Sequence, residues 1–121
     1  MKTQFFRFVV GTIDIFQAVE QDCPRGDPRR FSKPDSSWIP QAIKKFPEKI
    51  VWWSEFGLRR YISTGLLAWQ ASVVDGPVEV MILEKPERVS YENEYVMICD
   101  SSIASTAQIL SLDEFNQQQK N

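Results

Sequence analysis

Residues 4–10 run Gln-Phe-Phe-Arg-Phe-Val-Val, so aromatic and β-branched side chains fall on both faces of any strand they form. A strand that is apolar on both faces belongs inside a sheet, with cover above and below. Gly11 closes it, and the rest of the chain must supply neighbouring strands and the layers that cover them.

From Asp14 the period changes. Ile15, Phe16 and Val19 have helical spacing, Asp14 and Gln17 have the three-residue separation of a capping box, and Cys23-Pro24 sets the end. Cys23 to Ser37 holds three prolines, three arginines and one large apolar residue, Phe31, and reads as a long exposed loop. Ile39, Ala42, Ile43 and Phe46 then repeat at helical spacing, with Ser36 or Ser37 as the cap and Pro47 as the stop.

Lys49 to Trp53 is a short apolar link or strand, and Ser54 can cap a helix through Leu58, Tyr61 and Ile62. Leu66 to Val74 fits either period; the helix is preferred, with Gly76 as its stop, over a strand closing in an Asp75-Gly76 turn. Val78 to Leu83 and Glu94 to Cys99 are β-rich runs, expected to lie as antiparallel neighbours joined by the polar residues 84–93. Ser102 to Leu110 offers a last short strand, and Ser111-Leu112-Asp113-Glu114 is a capping box for a terminal helix that frays from Gln117.

These elements predict an α+β fold: one domain over residues 1–121, with a mainly antiparallel sheet of about four to five strands and three to five helices packed mostly on one face. At 121 residues and 43% hydrophobic, the chain can bury a core without metals or disulfides. Two cysteines, Cys23 and Cys99, lack metal-site or redox-motif spacing, and no leader or membrane span is recognisable, so a reducing cytoplasm is the expected compartment. Cys99 continues an apolar run and is expected to be a buried, inert thiol.

Histidine is absent, which removes imidazole bases, histidine triads and ordinary histidine-ligated metal sites. No glycine-rich phosphate loop is present either. No catalytic residue, cofactor or metal is therefore expected.

Charge is divided along the chain: residues 1–60 carry eleven Lys/Arg against seven Asp/Glu, and residues 61–121 carry three against nine. The acidic group Asp75, Glu79, Glu84, Glu87, Glu92, Glu94 and Asp100 can be a carboxylate face for a basic partner, or a solvated sheet edge protected from aggregation. The basic stretch around Phe31 could track phosphates, but Asp22, Asp27, Asp35 and Glu48 dilute it, and nucleic acid is disfavoured. Adjacent Trp52 and Trp53 project differently on any element; either both are core packing residues, or one enters the core and the other stands at the surface beside Arg59 and Arg60 as an interface anchor.

Arg7, Ser63-Thr64 and Glu92-Asn93-Glu94 occur in an order that resembles the mono-ADP-ribosyltransferases. The resemblance implies that Arg7 contacts a dinucleotide, that Ser63 and Thr64 brace the site, and that Glu94 stabilises an oxocarbenium-like transition state. The leading expectation is instead a non-catalytic cytoplasmic protein-binding domain: an immunity-type inhibitor that neutralises a basic, nuclease-like toxin through its acidic residues. An adaptor subunit using the Trp52–Trp69 region is a third reading.

Overall fold

The computed structural model describes residues 3–39, 50–84, 89, 91–99 and 108–119. In chain order the elements are β1 (Gln4–Val10), β2 (Ile13–Asp14), α1 (Ile15–Asp22), a 3-10 turn (Pro28–Ser32), β3 (Ile50–Trp53), α2 (Glu55–Ser63), α3 (Leu66–Val73), β4 (Val78–Glu84), β5 (Tyr91–Glu92), β6 (Val96–Cys99), β7 (Gln108–Ser111) and α4 (Leu112–Gln119). The fold is α+β, as the pattern of periods predicts. The helix expected from Ile39 to Phe46 lies largely outside the described residues.

One antiparallel sheet runs β5-β6-β3-β1-β4-β7, with β2 folded back on the end of β1. The seven strands among the described residues exceed the expected four to five. β2 and β5 account for the excess: each has two residues, too few to leave a periodic trace in sequence. β1 is interior, as its two apolar faces require.

Alternation along β1 sorts the core. Phe6 and Phe8 point to the helical side, where they join Ile15 and Val19 of α1, Leu58 and Tyr61 of α2, Leu66, Leu67, Trp69 and Val73 of α3, and Phe115 of α4. Phe5 points the other way and is buried with Trp52, Leu83, Met97 and Cys99, with Ile50, Met81 and Val89 against them. Trp53 stacks on Tyr61 with ring centroids 4.8 Å apart, a contact worth about 0.5–1.5 kcal/mol beyond its buried area. The Tyr61 hydroxyl, buried, donates to Gln70 Oε1, so each gives the other its polar partner.

Helix ends follow their caps. Asp14 accepts from the Phe16 N–H at 2.9 Å and starts α1, bonding there and not through a box with Gln17. Ser111 and Glu114 form the reciprocal capping box of α4: Ser111 N–H to Glu114 Oε1 at 3.3 Å, Glu114 N–H to Ser111 Oγ at 3.1 Å. α4 continues to Gln119, past the expected fraying point. Leu66 to Val73 is helical; Val74, extended, ends it, so Gly76 is not the stop. Gly65, with φ of +82°, makes the sharp turn between α2 and α3 that a residue with a Cβ resists.

The β4 and β6 runs are not neighbours. β1 and β3 lie between them, because the long apolar β1 takes the full length of β4, with Gln4 opposite Glu84 and Val10 opposite Val78. That one exchange decides where the acidic residues go.

Candidate functional site

With β5 at one edge and β4 four positions away, Glu92 and Glu79 sit on the order of 19 Å apart at ordinary strand spacing, beyond the roughly 8 Å over which exposed charges act at physiological salt. Glu79 and Glu84 point to opposite faces of β4. Asp75 lies at the end of α3, where its N–H donates to the Asp22 carboxylate at 2.9 Å. Glu87 lies outside the described residues. The expected carboxylate surface is thus divided, and Glu92 and Glu94, both exposed, are the two members that remain close in sequence and space at the β5–β6 hairpin.

Of the two readings of the tryptophans, core packing holds and the interface anchor does not. Trp52 and Trp53 are both buried, at 0% and 3% exposure, so neither is a surface anchor. They project to opposite sides of β3 as alternation requires, but this strand is covered on both faces. Trp38, half-buried, packs against the same core from its rim.

Trp38 belongs to a surface cluster with Phe56, Arg60 and Tyr95. Its ring lies 5.6 Å from buried Trp53 and 6.0 Å from Tyr95; Phe56, 53% exposed, lies 5.3 Å from Tyr95. The Arg60 guanidinium carbon sits 5.5 Å from the Trp38 ring centre and 5.9 Å from that of Tyr95, within cation–π range of both. Arg60 Nη1 also approaches the Tyr95 hydroxyl at 3.4 Å.

Local structure builds the cluster from three segments. Phe56 and Arg60 are four residues apart on α2 and share a face. Tyr95 is set by the turn before β6, where Asn93 Oδ1 accepts from the N–H groups of Tyr95 and Val96 at 2.8 and 2.9 Å. Ser54 ties that turn to α2: its N–H donates to the Tyr95 carbonyl at 2.9 Å, its hydroxyl faces the Glu94 carbonyl, and Oγ accepts the Gly57 N–H at 3.0 Å. Trp38 donates its indole N–H to the Asp35 carbonyl at 3.1 Å. Hydrogen bonds from Ser37 hold the Asp35 carboxyl below its ordinary pKa, and Arg60 pushes in the same direction.

The arrangement brings together one exposed ring, two half-buried rings, one exposed guanidinium and carboxylates on the adjoining hairpin, groups of the kinds that can serve recognition. Among the described residues no group of acidic or cysteine side chains could hold a metal ion. Tyr61 is not poised for proton transfer, since burial and the nearby Asp14 charge push its hydroxyl well above its ordinary pKa.

The ADP-ribosyltransferase-like residues do not converge. Arg7 points to the face opposite the helices, where Nε lies 3.4 Å from Asp14 Oδ2 and Nη1 3.7 Å from Met81 Sδ. Ser63 and Thr64 turn back on their own helix, donating to the carbonyls of Arg60 and Tyr61 at 3.3 and 3.4 Å. Glu94 sits on the edge hairpin beside Ser54.

A depression of about 350 Å³ near the other edge is lined by Gln4, Ile82, Leu83, Glu84 and Gln108, and shares no residue with the aromatic cluster. No described helix is long and apolar enough to cross a membrane. No protein-family model, no curated protein and no solved structure matches this chain.

Proposed function

We propose that the protein is a small non-catalytic protein-binding domain whose contact surface is the cluster of Trp38, Phe56, Arg60 and Tyr95. The exposed Arg60 guanidinium, within cation–π range of the half-buried Trp38 and Tyr95 rings, carries this reading. Trp, Tyr and Arg are the residue types that concentrate binding energy at interfaces, and here they are in place before a partner arrives. Hydrogen bonds within the hairpin turn and the Ser54 cap support the rings, so little ordering entropy is lost on association.

The concrete form we favour is an immunity-type inhibitor that seats this surface on a basic, nuclease-like protein. Glu92 and Glu94, exposed on the adjoining hairpin, then meet the partner's cations and speed encounter, while the rings supply the residence time. The acidic contribution is local in this reading and does not involve Glu79 or Asp75.

Titration against the purified product of the adjacent reading frame, by calorimetry at low and high salt, tests the proposal. The double variant Phe56→Ser/Arg60→Glu should weaken binding at least about tenfold, the scale of an interface hot spot. Glu92→Lys/Glu94→Lys should slow association and flatten its salt dependence, and Glu79→Lys should change neither. Failure of that protein to bind would sink the inhibitor form, and full affinity in the aromatic double variant would sink the assigned surface.

A further inference from the structure

Phe31 is 94% exposed, close to the limit for a side chain in a folded chain, yet the turn beneath it is held from several directions. Asp27 caps the 3-10 turn, accepting the Arg29 N–H at 2.9 Å. The Arg29 guanidinium returns to Asp27 at 2.9 Å and donates to the carbonyls of Asp22 at 2.9 Å and Val73 at 3.4 Å. Arg30 donates Nε to the Cys23 carbonyl at 2.8 Å and places Nη2 3.4 Å from Glu20, and the Trp69 indole N–H donates to the Arg29 carbonyl at 3.1 Å. The two arginines fasten the loop across the C-terminal ends of α1 and α3. Phe31, between Arg30 and Ser32, is left standing in water.

We infer that Phe31 is the anchor of a second docking element, which inserts into an apolar cleft rimmed by carboxylates on a protein partner. A loop serving only as a connector gains nothing from an exposed phenyl ring, whereas a ring presented on a pre-fastened turn brings its full apolar area to a partner at small entropic cost. The carboxylate rim follows from Arg25 and Lys33, which are exposed on the same loop, while Arg29 and Arg30 are engaged with Asp27, Glu20 and main-chain carbonyls. Among the described residues of this loop two outward cations are few for a nucleic-acid surface, where a protein can make roughly six to ten phosphate contacts, so a protein partner is favoured. This element is separate from the Trp38 cluster, which rests on α2 and the β5–β6 hairpin, and the inference does not depend on that cluster's role.

The test replaces Phe31 with p-benzoylphenylalanine in the full chain, expressed in its source cells, with the same replacement at Phe56 for comparison. Irradiation should join position 31 to one dominant protein. That protein, purified, should bind the unmodified chain with affinity that falls at least about tenfold in Phe31→Ala, the scale of an aromatic anchor. Arg25→Glu/Lys33→Glu should also weaken it, and Phe56→Ser should not. Phe31 packs on nothing, so Phe31→Ala should keep the wild-type melting temperature. The inference is overturned if position 31 joins only nucleic acid, only a second copy of the chain, or a scatter of proteins, or if the purified partner binds Phe31→Ala with unchanged affinity.

Discussion

Replacing Gly57 by alanine should destabilise the protein even though the position is helical. In an exposed helix interior this change gains about 1 kcal/mol, because glycine has the greater backbone freedom to lose. At Gly57 an added Cβ would collide with the carbonyl oxygen of Tyr95 and come within 2.9 Å of its carbonyl carbon and 3.0 Å of Trp53 Cε3. The obstacle is main chain, and it cannot swing aside, because that carbonyl accepts the Ser54 N–H at 2.9 Å. Overpacking of this kind costs about 1–3 kcal/mol, and with rigid backbone on one side the upper half of that range applies. Against the propensity gain, the net loss is about 1–2 kcal/mol, or a fall of about 4–8 °C in melting temperature for a domain of this size. Urea unfolding followed by circular dichroism, with slopes compared to confirm a common transition, measures it directly. The same variant lifts Tyr95 away from Arg60, so partner affinity should fall with stability. A Gly57→Ala protein as stable as wild type would show that the hairpin is seated loosely on α2, and the close-packed origin of the aromatic surface would be wrong.

Three further outcomes are expected. Ser54→Ala removes the Oγ acceptor of the Gly57 N–H and should cost about 1 kcal/mol, measured by the same urea titration. Tyr61→Phe leaves Gln70 Oε1 buried without its donor and should cost about 1–3 kcal/mol, whereas Tyr61→Phe combined with Gln70→Leu should recover part of that loss in a double-mutant cycle. Burial holds the Asp14 carboxyl above its ordinary value of 3.8, against the opposing pull of the Phe16 N–H and Arg7. Its folded pKa therefore exceeds its unfolded one, so its contribution is fully present below the unfolded value and is lost as pH rises through the folded value. Stability relative to Asp14→Asn should improve as the pH falls toward 4, and a relative stability that worsens on acidification would refute the assignment.

Local features were legible where one residue decides them. β1 could be read as interior from its two apolar faces, and Ser54, Asp14 and the Ser111–Glu114 pair mark their helices because capping is short-range chemistry. Strand order was not legible. Whether β4 lies beside β6 or beside β1 depends on which pairing buries more area, a comparison between distant segments that no local pattern encodes. The surface cluster was hidden for the same reason. Adjacency of Trp52 and Trp53 drew attention to residues that are buried, while Trp38, Arg60 and Tyr95 are far apart in sequence and become neighbours only when the hairpin is fastened to α2. Phe31 could be read as exposed from its setting, but the hydrogen bonds that fix its turn run to residues on two other helices.

The interior position of β1 has a kinetic consequence. β3, β6 and β5 lie on one side of it and β4 and β7 on the other, and Phe6 is paired with both Trp53 and Ile82. Neither block can join the other until β1 has been captured from both flanks by segments well down the chain, so loop closure must precede most of the reward. Refolding should be slow, in the millisecond-to-second range of sheets dominated by non-local pairing. During that interval the strand rich in phenylalanine is uncovered on both faces, which makes cool, dilute refolding the favourable regime for recovering the native protein.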